Sequence, residues 1–419
     1  MQIITQLPAW VYDFFEFEAK PPINRLAYTK EDMAYKVKVM EKMQQLGMSL
    51  TMDAIGNICG TLKGKDPSKT GLVFCSHTDS VPDGGQYDGC VGVIMSLVAI
   101  EKLLHQKVRP EQDIKVIVCA CEESSRFNEA CLGSKFLNGT LAEEKFTSLT
   151  AKNGITLRAA IAASFDYLAE FGMTDFINVH AVIEKDECEN AIEIHIEQYE
   201  SLFDAGQEIG IVNSIVSPYR FETLVKGVTG HTGTAPMASR KDAVVASSLF
   251  AMALNEWALA PDSNLRIAVP RFETEADYSM NKIADRVTLA TDIRMQYPNN
   301  VKTTEARLKG ITTDIADRTG TTFDLTVLSA ENPVKTSDDL SELLFNLSEG
   351  LGLRTVNMPS WAGHDMAHLP VKNRSLIFIP STSGSHNPGE RTTPQDVING
   401  INVLLKATLE LVVVKGEGA

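Results

Sequence analysis

Residues 114–127 read IKVIVCACEESSRF, an unbroken apolar run that ends abruptly in two adjacent glutamates. A continuous apolar strand suits the buried middle of a sheet covered by helices, where neither side of the strand meets water. Upstream, residues 91–105 have helical character and residues 72–76 (LVFCS) form a second strand-like run. Further back, residues 31–47 (EDMAYKVKVMEKMQQLG) read as an amphipathic helix ended by Gly47. Helices thus alternate with apolar strands from about 30 to 215, a pattern that predicts an α/β sheet.

Downstream, residues 191–198 (AIEIHIEQ) alternate Ile192, Ile194 and Ile196 with Glu193, His195 and Glu197. A strand there buries the isoleucines on one face and turns His195 to the other. The next stretch differs. Strand IVSPYRFETLVKG, helix 242–257, strands LRIAVPRFE and RVTLATDIRM, helix VKTTEARLKGITTDIADRTG and strand TTFDLTVLS run from 215 onward. Their order, β-α-β-β-α-β, is that of a ferredoxin-like unit. After Asn332–Pro333 the α/β character returns with strand 375–380 (SLIFIP) and a last helix from Pro394. The expected organisation is a discontinuous α/β domain with a central mixed sheet, residues 1–212 and 333–419, into which a smaller domain, 213–332, is inserted.

The formal net charge of −15 disfavours binding to nucleic acid and to anionic membrane surfaces. No apolar run approaches membrane-spanning length, and the acidic first twenty residues do not read as a secretory signal. Seven cysteines, an odd number, lie at 59, 75, 90, 119, 121, 131 and 188, several within apolar stretches. Buried free thiols and a cytoplasmic location are therefore expected rather than a disulfide framework.

The chemistry gathers where strands end. Residues 77–89 (HTDSVPDGGQYDG) place His77 and Asp79 just past a strand and Asp88 in a Gly-rich turn. A His-x-Asp pair can supply one metal ligand and one carboxylate that orients the imidazole. Glu122 and Glu123 end the strand quoted above; two such neighbours repel, so a cation beside them or a raised pKa is expected. His195 faces away from its isoleucines, and His386 sits in the Gly/Pro loop 383–390 (SGSHNPGE). Any one of these is more often structural, as a strand-end histidine or a solvated acidic edge. Together, imidazoles and carboxylates at the strand ends of one domain suit Zn²⁺, Mn²⁺, Co²⁺ or Ni²⁺ rather than Ca²⁺. Five ligands with one bridging carboxylate are enough for two ions.

As an ordered set, H-T-D at 77–79, Y-D-G at 87–89, E-E-S-S-R-F at 122–127, H-I-E-Q at 195–198, G-H-T-G-T-A-P-M at 230–237, D-I-R at 292–294, G-H-D at 363–365 and S-H-N-P-G-E at 385–390 resemble the M20-type amidase/carbamoylase group. That group includes N-carbamoyl-L-amino-acid hydrolases, β-ureidopropionases, allantoate amidohydrolases and ureidoglycolate amidohydrolases. The resemblance implies a metal-dependent catalytic domain holding two divalent ions, with an inserted lid/dimerisation domain and a homodimer. It implies His77, Asp88 (bridging), Glu123, His195 and His386 as metal ligands, Glu122 as general base and Asp79 as partner of His77. It assigns His231 to the developing oxyanion and Arg294 to the substrate carboxylate. Gln198 and Asn281 would hydrogen-bond substrate, with His364, Gly384 and Ser385 near the pocket. From the residues alone, His231 is a surface histidine in a Gly-rich turn, and Arg294 pairs with Asp292 along its strand.

The implied reaction is C–N hydrolysis of a small N-carbamoyl (ureido) carboxylate. The alternatives are a peptidase or N-acyl-amino-acid hydrolase on the same scaffold, and a non-catalytic metal-binding dimeric module. Tyr199, Ser124, Trp361 and Ala284 depart from the usual pattern. Tyr199 and Trp361 add bulk near the expected pocket, so they bear on substrate choice rather than on metal binding.

Overall fold

The computed structural model describes residues 3–17, 22–66, 68–173, 175, 181–274 and 279–412. The chain divides into two compact units, Met1–Asn213 with Thr336–Ala419, and Ser214–Lys335.

In the first unit, helix α1 (Lys30–Gln45) starts where Thr29 accepts the N–H of Asp32, and buries Met33, Val37, Met40 and Met43 at helical spacing. Hairpin strands β1 (Ser49–Met52) and β2 (Ile58–Leu62) follow, then β3 (Gly71–His77), α2 (Cys90–His105) and β4 (Ile114–Cys119). Helices α3 (Leu132–Leu137), α4 (Glu143–Ser148) and α5 (Leu157–Glu170) precede β5 (Cys188–Ile196), α6 (Ser201–Asp204) and β6 (Ile209–Ile215).

The second unit carries β7 (Ser217–Lys226), β8 (Gly230–His231), α7 (Ala243–Leu259), β9 (Leu265–Thr274), β10 (Lys282–Ile283), β11 (Arg286–Met295), α8 (Val301–Thr319), β12 (Thr322–Ala330) and β13 (Val334–Lys335). The chain then returns to the first unit with α9 (Asp338–Gly350), β14 (Thr355–Ser360), β15 (Asn373–Ile379) and α10 (Pro394–Val412).

The large sheet of the first unit runs β1-β2-β4-β3-β5-β15-β6, with β14 on β6. Strands β4, β3, β5 and β15 are mutually parallel, while β2 and β6 pair antiparallel to β4 and β15. The sheet is therefore mixed, and the carboxyl ends of its four central strands share one edge. In such sheets that edge is where ligands bind. Ile192, Ile194 and Ile196 join the main core with Leu97 and Val98 of α2 and Leu404 of α10. The other side of β5 is buried as well, so Glu193 and His195 lie inside the protein.

Strand β4 stops earlier than its apolar run. The N–H of Ala120 donates to Asn57 Oδ1 at 2.8 Å instead of to a neighbouring strand. Cys121 then takes a left-handed φ of 54°. That turn lifts Glu122 and Glu123 out of the ladder. Hairpin β1–β2 and helices α3–α5 have no counterpart in the sequence reading.

In the second unit the main sheet is antiparallel, ordered β12-β7-β11-β9. Helices α7 and α8 cover one face through Phe250, Leu254, Leu308 and Ile315, packed on Tyr219, Phe221, Leu289 and Ile293. Asp242 caps α7 by accepting from Val244 and Val245. Asn300 and Thr303 form a reciprocal capping box at α8, which ends at left-handed Gly320. Among the described residues no helix is long and apolar enough to cross a membrane. All seven cysteines are unbridged and buried.

Candidate active site

At the shared strand edge, His77 ends β3 and His195 lies near the end of β5. Glu122 and Glu123 follow the β4 turn, and His386 follows β15. Asp88 sits at the start of α2, beside Gly89 with φ 66°. His77, Asp88 and His195 offer ligand atoms that all lie within 4.8 Å of one another, and so do Asp88, Glu123 and His386. Asp88 belongs to both groups. His195 Nε2 is 3.1 Å from Asp88 Oδ1, and His386 Nε2 is 3.2 Å from both Asp88 Oδ2 and Glu123 Oε1.

The tautomers follow from the other ring nitrogens. His77 Nδ1 donates to the Asp79 carbonyl at 3.0 Å, and His195 Nδ1 to the Ile196 carbonyl at 2.9 Å. Each neutral ring therefore turns its Nε2 lone pair inward. At 3.1 Å, His195 Nε2 and Asp88 Oδ1 would be two acceptors facing each other. Such a contact is stable only with a cation or a proton between them. Without a metal, protons take that place. His386 is pushed up to about 11 by its contacts with Asp88 and Glu123. Burial lowers the His77 pKa, yet Glu122, Asp79 and Asp88 outweigh it and hold the ring well above its ordinary value. Imidazole nitrogens and carboxylate oxygens around one buried anionic point fit divalent metal ions.

Asp79 is fully buried. Its carboxylate is 3.6 Å from His77 Nδ1, and it accepts the N–H of Glu122 at 3.3 Å and of Glu123 at 3.1 Å. It therefore orients the Glu122–Glu123 backbone as much as the imidazole. Glu122 Oε2 lies 3.7 Å from His77 Nε2, and Oε1 lies 3.4 Å from Cys131 Sγ. Burial raises the Glu122 pKa well above the usual carboxylate range, and Glu123 adds to the effect while His77 opposes it.

Gln198 adopts a left-handed φ of 60°. Its Nε2 donates to Asp88 at 3.1 and 3.2 Å, while its buried Oε1 has no partner among the described residues. Ser385 Oγ lies 2.6 Å from Asp88 Oδ2 and 2.7 Å from Glu390 Oε2, and Gly384 is left-handed beside it. His364 is buried; its Nε2 meets Ser360 Oγ at 2.9 Å and its ring stands edge-on to His195 at 4.8 Å. Burial and His195 depress its pKa well below the ordinary value, so it packs as a neutral ring. With Glu193 and His195 it forms a third group of candidate ligands.

Three of the expected residues lie in the second unit. The ladder β8–β10 pairs His231 with Lys282, and the Thr232 N–H donates to the Asn281 carbonyl at 3.0 Å. His231 and Asn281 are thus neighbours. His231 Nδ1 accepts from the N–H groups of Gly233 and Thr234 at 3.0 and 3.2 Å, which leaves the ring proton on Nε2. Arg294 Nε donates to Asp292 at 2.9 Å, and Arg220 donates to the same carboxylate at 2.8 Å.

The profile of Peptidase family M20/M25/M40 matches residues 73–410. The chain belongs to this family. A relative in Haemophilus influenzae, named an uncharacterized hydrolase, is 31% identical over 93% of each chain. An N-carbamoyl-L-amino-acid amidohydrolase of Paenarthrobacter aurescens is 28% identical over 94% of this chain and 95% of its own. The crystal structure of an amidase of the hydantoinase/carbamoylase family from Burkholderia multivorans is similar with a TM-score of 0.80. It is 28% identical, covering 93% of this chain and 92% of that one.

Two residues of this M20 site carry no role that the sequence alone assigns. Glu390 stands in the quoted motif 385–390 but has no role there. Gly89 follows Asp88 in the Gly-rich turn, and the pattern of turn residues could have marked it as a close approach.

Proposed function

We propose that this protein hydrolyses the C–N bond of an N-carbamoyl (ureido) group on a small carboxylate substrate. One water is consumed, and ammonia, carbon dioxide and the amine are released. The observation that carries the reading is the pair of ligand groups sharing Asp88, with the Glu122 carboxyl beside them. The name of the Paenarthrobacter relative and the family of the Burkholderia amidase support the carbamoyl substrate class.

His77, Asp88, Glu123, His195 and His386 would hold two divalent ions, Zn²⁺, Mn²⁺, Co²⁺ or Ni²⁺. When bound, such ions supply Lewis-acid polarisation of the poorly electrophilic ureido carbonyl and acidify a water. Glu122 Oε2 takes the proton of that water and returns it to the leaving nitrogen. Asp79 holds the Glu122 backbone in place for this transfer. His231 carries its proton on Nε2, the state required of a donor to a developing oxyanion. The Arg294 guanidinium recognises the substrate carboxylate, and Gln198 and Asn281 offer amides to the ureido group. Gln198 Oε1, buried and unpartnered among the described residues, suits an acceptor for a ureido N–H. His364, Gly384 and Ser385 shape the surroundings. Residues 214–335 serve as the lid and dimerisation domain of a homodimer, and the seven unbridged thiols support a cytoplasmic location.

The test is ammonia release from N-carbamoyl amino acids, N-carbamoyl-β-alanine, allantoate and ureidoglycolate, each with Mn²⁺, Zn²⁺ or Co²⁺. Hydrolysis of dipeptides or N-acetyl amino acids, with no turnover of this panel, would overturn the reading. Glu122→Gln should retain bound metal and lose about 10²- to 10⁴-fold in rate, whereas His195→Ala should lose metal.

A further inference from the structure

Glu390 is completely buried, yet the reaction above gives it no task. Its Oε1 accepts the backbone N–H of Tyr87 at 2.8 Å and of Asp88 at 3.1 Å. Its Oε2 meets Ser385 Oγ at 2.7 Å, and the same hydroxyl reaches Asp88 Oδ2 at 2.6 Å. One carboxylate therefore grips both the turn that carries Asp88 and the loop that carries His386. The approach is so close that a Cβ on Gly85 would lie 2.2 Å from Glu390 Oε1.

The loop needs such a tether. Ser383, Gly384 and His386 all have left-handed φ values, 66°, 66° and 62°, a region that side chains other than glycine occupy at a cost. The His386 side chain is half exposed, so packing does little to hold it. Its fixed points include the bridge between Thr382 and Arg391, the Ser383 N–H donated to Glu200 Oε1 at 2.6 Å, the Asn387 side chain, and the Glu390–Ser385 contact. Of these, the last also reaches Asp88. By contrast, His77 and His195 are set by strands β3 and β5 and by their own carbonyl partners.

We infer that Glu390 is a positioning residue for the ligand group Asp88–Glu123–His386 and leaves the His77 and His195 positions largely to the sheet. This rests on the two-ion reading proposed above. Its consequence is an asymmetry: because Asp88 is shared by both ligand groups, loss of Glu390 should weaken both ions, but the ion on His386 far more than the ion on His77 and His195. The chemistry also predicts which substitution is tolerated. Ser385 has one hydroxyl hydrogen for two carboxylates. A glutamine at 390 can accept both backbone N–H groups through Oε1 and donate its own N–H to Ser385, so the amide preserves the tether.

The experiment is calorimetric titration of chelator-stripped full-length protein with Mn²⁺, comparing wild type with Glu390→Ala, Glu390→Gln and Ser385→Ala. His386→Ala and His195→Ala serve as references. Wild type should bind two ions; a single ion would overturn the two-ion reading itself. Given two, Glu390→Ala should lose about 10- to 100-fold in affinity for one ion and far less for the other, in the pattern of His386→Ala and not of His195→Ala. Glu390→Gln should stay within a few-fold of wild type. Ser385→Ala should weaken the same ion by less, and it decides the matter if Glu390→Ala does not fold. Unchanged binding in Ser385→Ala and Glu390→Ala, or equal loss of both ions, would overturn the inference.

Discussion

Replacing Gly89 by alanine should damage the site directly. Gly89 has φ 66° and ψ −51°, a conformation that costs a residue with a Cβ on the order of 1–3 kcal/mol. The new Cβ would stand 2.3 Å from His77 Nε2, 2.4 Å from Cδ2 and 2.5 Å from Cε1, directly against the ring. Ordinary contact begins near 3.4 Å, so the imidazole or the Asp88–Gly89 turn must retreat by about 1 Å. The Gly89 nitrogen also lies 3.0 Å from His195 Nε2, so a retreat of the turn disturbs the second imidazole as well. A displacement of about 1 Å at reacting groups can cost roughly 100-fold in rate. Gly89→Ala is therefore expected to lose on the order of 100-fold in kcat and to bind Mn²⁺ more weakly, with a drop of about 1–3 kcal/mol in urea unfolding of the metal-free protein. Wild-type metal affinity together with wild-type kcat would refute the idea that His77 and Asp88 act at the distances described.

Other outcomes follow from the same geometry. In the metal-free protein His386 is held up at about 11; a ring raised above its ordinary value adds stability that is complete below about 6.5 and is lost as pH rises through about 11. Because a metal replaces that proton, Mn²⁺ binding at pH 8 should release at least about one proton per chain, read from binding heats in buffers of different ionisation enthalpy; no release would contradict the His386 assignment. Arg294→Lys removes the planar fork while keeping the charge, so KM for a carbamoyl carboxylate should rise roughly ten-fold with kcat little changed. An equal fall in kcat would reassign the residue to the chemical step. Gly400 on α10 has no room for a methyl group, since a Cβ there would meet Met95, Ile194 and Ile379 at 2.5–2.7 Å. Gly400→Ala should therefore cost about 1–3 kcal/mol in urea unfolding, and a stabilised variant would show that α10 can shift away.

The strands and the amphipathic helices were legible because burial imposes a period on sequence. Helix 31–47 appears as Lys30–Gln45, and the run 72–76 lies within Gly71–His77. The place where β4 ends was not legible. Its apolar run continues to Cys121, but a long-range contact from Asn57 takes the Ala120 N–H, and no local pattern encodes that. The same reason hides Glu390. Its partners lie about 300 residues away at Tyr87 and Asp88, and its side chain resembles any other loop glutamate. Ser385 shows the limit from the other side: resemblance places it near substrate, while its hydroxyl is engaged by Asp88 and Glu390. The protonated nitrogen of His231 likewise depends on two turn N–H groups, which a sequence displays only as G-H-T-G-T.

Strands β5 and β6 follow one another in the chain, yet β15 lies between them in the sheet. During synthesis β5 and β6 are both finished by residue 215, while β15 does not begin until residue 373. For that interval the edge of β5 that β15 will cover is unpaired, a template for wrong partners, and β6 has no strand to pair with, since its partners lie later in the chain. Residues 214–335 emerge during the wait and form a compact unit of their own. The loop with His386 and Glu390 follows β15, so it reaches Asp88 only after that strand has been made. Completion of the candidate metal site thus waits for the last strand of the sheet to be made, so a chain truncated before it cannot present a finished site.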